Sequence, residues 1–373
     1  MTRPSTLVIR AQDFTVHGLS TDELSRRCRA GALIRLRRGS YVSASAWEQL
    51  TSRSRQELMF QVAVEAYGMR FPLWGPSSAL LHGLPTRHHT SARIEPTHLL
   101  GTTAPGGRSK RAVTMHRPDG RLRHTVDING LPCSDVVNTA IDVAMDEEFD
   151  WSVAVMDRLL NPQKLPSAGP VSAWESVAPT GRQPSTTPGG PDRRSGSGPA
   201  PVSLDHHTGS VDTPPSAPDR ELVASVIDQI PQASRRRRLR AILDFSDPGG
   251  FLPGESLSRV AMHRLGFPRP ELQTRFADRV GLIGYTDFCW RSARVIGEFD
   301  GREKYVKPEY LRGPSTSDIV IAEKTREDRL RHLGFTVVRW VWADVQNPER
   351  LASLLRQAGL PQTVRPEWGL ARS

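Results

Sequence analysis

The sequence predicts a multi-domain α/β protein, and three observations carry that prediction. A Pro-, Ser-, Gly- and Thr-rich stretch divides the chain, a capped basic helix and a basic hairpin stand near its start, and a helix followed by an acidic hairpin occupies its last third. At 373 residues the chain is long enough for two or three compact domains.

The dividing stretch sets the boundaries of the expected units. From Pro166 to Arg220 the sequence shows neither helical nor strand periodicity. Such a composition buries too little apolar surface to offset the entropy of ordering, so residues 162–220 are expected to form a disordered linker. His206 and His207 inside it read as a solvated pair rather than a metal site. The remaining expected units are 1–50, 51–161 and 221–373.

Composition narrows the partners. Fifty Lys plus Arg against forty Asp plus Glu give a net charge of +10, which favours a polyanionic partner because phosphate neutralisation releases counterions. Cys28, Cys133 and Cys289 are distant and odd in number, which excludes a disulfide framework and a four-thiolate zinc site. The first residues lack the apolar core of a signal peptide, and no stretch approaches a membrane span. The expectation is a cytoplasmic protein without a membrane partner.

In the first unit, Ser20-Thr21-Asp22-Glu23 is a capping box that opens a helix ending near Gly31. Leu24, Cys28 and Leu33 are assigned to its apolar side, and Arg26, Arg27 and Arg29 to its exposed face. Ile34, Leu36 and Tyr41 then read as strand residues, with Arg35 and Arg37 alternating and Arg38-Gly39 at the turn. A capped basic helix followed by a basic hairpin is the layout of a winged helix-turn-helix, so Arg26, Arg27, Arg35, Arg37 and Arg38 are the candidate DNA contacts. The run GLSTDELSRRCRAGALIRLRRGSYV, with SSALLHGLP at Ser77 to Pro85, resembles the N-terminal region of the AbiEi family of antitoxin-like regulators. That resemblance implies DNA binding and a cognate toxin as a further partner.

The second unit is expected to be mixed α+β. QELMFQVAVEAYG and CSDVVNTAIDVAMD read as helices, and ARIEPTHLL, AVTMHRP and HTVDING as strands, the last ending in an Asn129-Gly130 turn. His82, His88 and His89 lack metal spacing and read as loop or packing residues.

In the last unit, ESLSRVAMHRLG is a helix opened by Glu255 and ended by Gly266. Two strand-like segments follow, DRVGLIGYTDFCW and RVIGEFDG, separated only by Arg291-Ser292-Ala293. A tight turn centred on Ser292-Ala293 pairs residues whose numbers sum to 585, which sets Asp287 opposite Glu298 and, with Asp300, gathers three carboxylates on one face. A shift of one residue would scatter them to opposite faces. Opposed like charges are destabilising, and a hard divalent cation such as Mg²⁺ (or Mn²⁺) relieves that cost with oxygen ligands.

A helix bearing a glutamate, then a hairpin bearing an aspartate and an acidic-x-lysine motif, is the PD-(D/E)XK arrangement of restriction-endonuclease-like α/β domains. By that arrangement Asp287 and Glu298 are metal ligands and Glu255 supports them. The series ESLSRVAMHRLGFPRPELQ, TDFCW, VIGEFDG and EKTREDRLRHLGFTVVRWVWADV also resembles the very-short-patch-repair-like proteins of that superfamily. The resemblance implies DNA as substrate. One departure stands out: Asp300 occupies the position of the motif's lysine, leaving Lys304 or Lys324 to supply a cation. Glu323, Arg326 and Asp328 are further candidates for phosphate contact, or for solvated pairs such as Lys324 with Asp328. SDIVIAEKTREDRLRHLG is expected as a helix, FTVVRWVWADV as a buried strand with Trp340 and Trp342 in the core, and PERLASLLRQAG as a closing amphipathic helix.

Two functions from different classes follow. One is a metal-dependent DNA endonuclease or nickase targeted by the winged helix. The other is a non-catalytic DNA-binding regulator of antitoxin type that keeps a degenerate nuclease domain as scaffold.

Overall fold

The computed structural model describes residues 7–16, 20–87, 94–101, 112–161, 218–250, 252–301, 316–363 and 368. Of the expected linker, residues 162–217 lie outside these. The chain is a mixed α/β protein built from several sheets.

The first unit runs β1 (Ile9–Arg10), α1 (Ala11–Val16), α2 (Thr21–Arg29), β2 (Leu33–Arg37) and β3 (Ser40–Ser43). Its three strands form a sheet in the order β1-β3-β2, antiparallel throughout. The Ser20 hydroxyl accepts from the Glu23 amide at 3.3 Å, as the capping box requires. The Glu23 side chain turns instead to Arg26 and Arg27. Leu33, assigned to the apolar side of the helix, begins β2: Gly31 takes a left-handed φ of 73° and ends α2 before it. Two further helices, α3 (Ala44–Gln49) and α4 (Ser52–Tyr67), are capped by the hydroxyls of Ser43 and Thr51. Leu58 and Val62 of α4 close a small core over Leu36 and Val42, so this unit's core extends past residue 50.

The middle region packs α5 (Gly75–His82) and α6 (Val136–Asp146) with two small ladders. Strands β4 (Thr97–Leu100) and β5 (Val113–His116) pair in parallel, and β6 (Thr125–Ile128) and β7 (Leu131–Ser134) form a hairpin. The hairpin turns on Asn129 and Gly130, both at positive φ, as their sequence suggests.

The last unit is ordered α10 (Pro253–Arg264), β8 (Glu271–Asp278), β9 (Gly281–Trp290), β10 (Val295–Phe299), α11 (Thr316–His332) and β11 (Thr336–Trp340). The sheet order is β11-β10-β9-β8, with β10 and β11 parallel and the other pairs antiparallel. Two strands differ from the sequence expectation. The segment DRVGLIGYTDFCW is not one strand: Asp278 closes β8, Gly281 opens β9, and Asp278 Oδ1 accepts from the Val280 amide in the turn between them. At the other end β11 stops at Trp340, because Trp342–Val345 turns into a short helix, α12, held by Asp344 Oδ2 accepting from the Val341 amide. The closing helix α13 spans Pro348–Gln357.

Three helices tie this unit to the residues before the dividing stretch: α7 (Phe149–Leu160), α8 (Arg220–Asp228) and α9 (Ala233–Phe245). Val153, Met156 and Leu159 of α7 share one continuous core with Ile227, Leu243, Val260, Phe288 and Trp340. Inside that core lies an ion pair. Asp157 of α7 and Arg259 of α10 are both buried, with Arg259 Nη2 2.7 Å from Asp157 Oδ2. The same carboxylate accepts from the Ser256 hydroxyl and the Asp247 amide, each at 2.7 Å. The guanidinium also lies over the Phe245 ring.

Five arginines of α9 form a basic run that is mostly structural. Arg236 donates to the carbonyls of Ile230 and Pro231, Arg238 to those of Ala144 and Glu147, and Arg240 pairs with Asp228. Arg235 and Arg237 are exposed.

Two predictions follow from this packing. Arg259→Met leaves Asp157 charged and buried without its partner, and should lower unfolding stability by about 3–5 kcal/mol in a denaturant titration. The thiols offer the second. Burial, with the charge of Asp127, raises the Cys133 thiol to about 12. Burial, with the charge of Glu271, raises Cys289 to about 11. Both are therefore protonated at pH 8, and the thiolate is the reactive form. A disulfide reagent should label half-buried Cys28 in the native protein and reach the other two only after denaturation.

Candidate functional site

The acidic hairpin adopts the register its sequence implies. Val295 pairs with Trp290, Ile296 with Cys289 and Gly297 with Phe288, so paired numbers sum to 585. Continuing that register sets Asp287 against Glu298. Arg291 to Arg294 form the turn, with Arg294 at a left-handed φ of 52°.

Strand alternation then divides the two faces of the sheet. Phe288, Trp290, Val295, Phe299 and Trp340 enter the main core beneath α10, and the Trp340 indole donates to Ser258 of that helix at 2.8 Å. Cys289, Ile296 and Val337 face the other way and pack with Leu330 of α11. Glu298 follows Ile296 onto the α11 side. There its Oε1 lies 2.8 Å from Arg326 Nη1 and its Oε2 lies 3.0 Å from Arg339 Nη2.

Asp287 is half-buried, and its Oδ2 accepts from the Phe299 amide at 2.9 Å. The contact ties the carboxylate to the end of β10, one residue beyond Glu298. Asp300 follows directly, its amide donating to the Trp340 carbonyl at 2.8 Å. Glu255 is buried in the first turn of α10. Its neighbour Gly254 abuts the Phe299 ring so closely that a Cβ there would clash, so α10 begins against the end of β10 on the sheet face opposite Glu298. Lys304 lies outside the described residues. Lys324 is exposed on α11. Among the described residues the ion pairs within that helix run Arg326–Glu323 and Arg331–Glu327, not Lys324 to Asp328.

Beside Arg326, a second cation contacts Glu298 that the sequence did not single out as a site residue. Arg339 pairs across the parallel ladder with Glu298 and is also ion-paired to Glu323 and Glu327. Burial disfavours its charge, but the hydrogen bond to Glu323 and the charges of Glu298, Glu323 and Glu327 outweigh that and raise its pKa. The local pattern of β11 shows only one arginine alternating with valines. Its partner is defined by a pairing between distant segments.

Asp287 and Glu298 offer hard oxygens, the donor type that Mg²⁺ takes, on adjacent strands, and both oxygens of Glu298 are in contact with arginines. Among the described residues no three His, Cys, Asp or Glu side chains form a metal cluster, and Mg²⁺ needs only one or two protein carboxylates. His82 is a packing residue, as expected: its Nε2 meets the Ser134 carbonyl at 2.7 Å, and burial lowers its pKa. His88 and His89 lie outside the described residues.

The N-terminal arginines fall into two groups. Arg35 and Arg38 are exposed on the β2–β3 hairpin, and Arg26 and Arg27 are exposed on α2 beside Glu23. Arg37 points inward, over the Tyr67 ring at 5.3 Å and 3.5 Å from the Val62 carbonyl of α4. Among the described residues no helix is long and apolar enough to cross a membrane.

A comparison with known protein families finds none that matches the chain. The chain is similar to an uncharacterized protein of Mycobacterium tuberculosis strain CDC 1551, with 34% identity over 115 residues. An uncharacterized protein of strain H37Rv matches to the same extent. The match covers 31% of this chain and 39% of each relative, so the chain spans about two-fifths of their length.

A stability test separates the two roles of Glu298. Glu298→Gln leaves Arg326 and Arg339 with Glu323 as their shared carboxylate, so unfolding stability should fall by about 1–3 kcal/mol in a denaturant titration. No change would place Glu298 outside the fold's electrostatic balance.

Proposed function

We propose that the protein binds DNA through its N-terminal unit and carries a metal-dependent phosphodiesterase site of the PD-(D/E)XK kind in its last unit. The observation that carries this reading is the hairpin register, paired as far as Gly297 with Phe288, whose continuation by one residue sets Asp287 beside Glu298. Like charges so placed cost stability, and a scaffold has no need of them. The order α10-β8-β9-β10-α11-β11 supports the same reading through its connectivity and acidic hairpin, but Glu255, expected to support the metal ligands, starts α10 on the sheet face opposite Glu298 and is left out of the site.

Asp287 and Glu298 would hold Mg²⁺ or Mn²⁺, which neutralises charge at a phosphoryl oxygen and lowers the pKa of a bound water. The chain's own residues have separate tasks. The Phe299 amide fixes Asp287, and Arg326 and Arg339 hold the buried carboxylate of Glu298 in place. In the N-terminal unit, the order β1-α1-α2-β2-β3 supports a winged helix, with α2 and the hairpin offering Arg26, Arg27, Arg35 and Arg38 to phosphates. Arg37 is left out because it packs on α4.

A second reading has its own observation. Asp300 stands where the motif has lysine, and both oxygens of Glu298 are engaged by arginines. These features favour a DNA-binding regulator that retains the domain without its chemistry.

Nicking of supercoiled plasmid with Mg²⁺ or Mn²⁺ against EDTA separates the two. The nuclease reading expects metal-dependent nicks that Asp287→Asn abolishes while DNA affinity stays within a few-fold. Undiminished nicking by Asp287→Asn would sink the site assignment, and an inert wild type that still binds DNA would establish the regulator. For the N-terminal unit, Arg35→Ala and Arg38→Ala should each reduce the slope of log affinity against log salt by about 1. An unchanged slope would remove that residue from the interface.

A further inference from the structure

We propose that Arg339 takes the place of the missing motif lysine and binds the backbone phosphate of a nucleic-acid strand, with Glu323 holding its guanidinium until the phosphate arrives. The inference rests on the reading of Asp287 and Glu298 as the working site and adds a phosphate-binding residue to it.

Three observations carry it. The first is position: Arg339 pairs in register with Glu298, and the next residue, Trp340, accepts the Asp300 amide. The cation therefore stands one strand away from the position at which the motif carries its lysine, on the same face as Glu298. The second is donor capacity. A guanidinium has five N–H groups in a planar fork suited to phosphate. Arg339 uses Nη2 for Glu298 and Glu323 and Nε for Glu327, and Nη1 makes no hydrogen bond among the described residues. The side chain is 32% exposed, so a ligand can reach it.

The third observation is charge balance. Glu298, Glu323 and Glu327 face Arg326, Arg331 and Arg339, each carboxylate shared among the cations. Glu323 is the more exposed of the carboxylates on Arg339, at 39% against 10% for Glu298 and 27% for Glu327. It is therefore the partner an incoming phosphate displaces at least cost, while Glu298 stays with Arg326. Glu323 thus acts as a stand-in anion that keeps Arg339 extended and charged.

Binding is tested with the full chain carrying Arg35→Ala and Arg38→Ala, which removes exposed N-terminal contacts. The probe is a fluorescent hexathymidylate in EDTA, read by anisotropy at several salt concentrations. Adding Arg339→Gln should weaken binding about tenfold and lower the salt slope by about 0.7, the value for one phosphate contact on a single strand. Adding Glu323→Gln instead should tighten binding several-fold, because the guanidinium loses its competitor. That variant removes an exposed carboxylate, so it stays readable if Arg339→Gln does not fold. Unchanged binding by folded Arg339→Gln, or weakened binding by Glu323→Gln, would overturn the inference. Plasmid nicking with Mn²⁺ keeps the two proposals apart. An inert wild type together with both binding effects retires the nuclease and keeps the phosphate site. An active wild type whose Arg339→Gln variant nicks equally well keeps the nuclease and overturns the role of Arg339.

Discussion

The buried pair between Asp157 and Arg259 is the constraint on which the rest of the structure depends. Two charges deep in a core are tolerable only when each is matched and the remaining oxygens are hydrogen-bonded. Here the carboxylate is completed by Ser256 and the Asp247 amide, and Gly250 passes so close that a Cβ would meet Asp157 Oδ2. The partners come from both sides of the dividing stretch, so α7 belongs energetically with the helices that follow it. Once α10 is fixed in this way, Ser258 fixes the Trp340 indole and Gly254 fixes Phe299. The ends of β10 and β11, where Glu298 and Arg339 lie, are set by these contacts.

The opposite face of the same sheet solves a different problem. Its acidic residues are not matched by apolar packing but by arginines reaching across from α11 and β11. Buried Glu298 has two guanidinium partners, whereas half-buried Asp287 takes a backbone amide. The arrangement keeps a concentration of like charge within a stable fold. It also places cations where a polyanion can compete for them. A second cluster of this kind, Arg121 and Arg123 with Asp119 and Asp142, is largely enclosed between α6 and the residues before β6, with the Arg121 side chain fully buried. It serves packing, since little of it meets solvent.

Sequence legibility followed the range of the interactions. The hairpin register was readable because a short turn and strict alternation leave few alternatives, and the caps at Ser20 and the turn at Asn129-Gly130 are equally local. Strand β8 was missed because Glu271–Asp278 mixes exposed and buried positions without a clean period and carries a bulge near Phe276. Trp342 was read into a strand because its apolar neighbours continue the pattern, while the Asp344 contact that turns the chain there is invisible to periodicity. Arg37 alternates with Arg35 in sequence, yet the shift in register between them turns it onto Tyr67. Arg339 needed the parallel pairing of β10 with β11 across α11, which no local pattern encodes.

The most direct test of the functional account is Mn²⁺ binding followed by electron paramagnetic resonance, comparing wild type with Asp287→Asn in the presence of a duplex oligonucleotide. The account predicts a bound Mn²⁺ fraction in the wild type that the variant loses at unchanged oligonucleotide affinity. Equal Mn²⁺ binding by both proteins, or none by either, would contradict the claim that the paired carboxylates of β9 and β10 are the working centre of this protein.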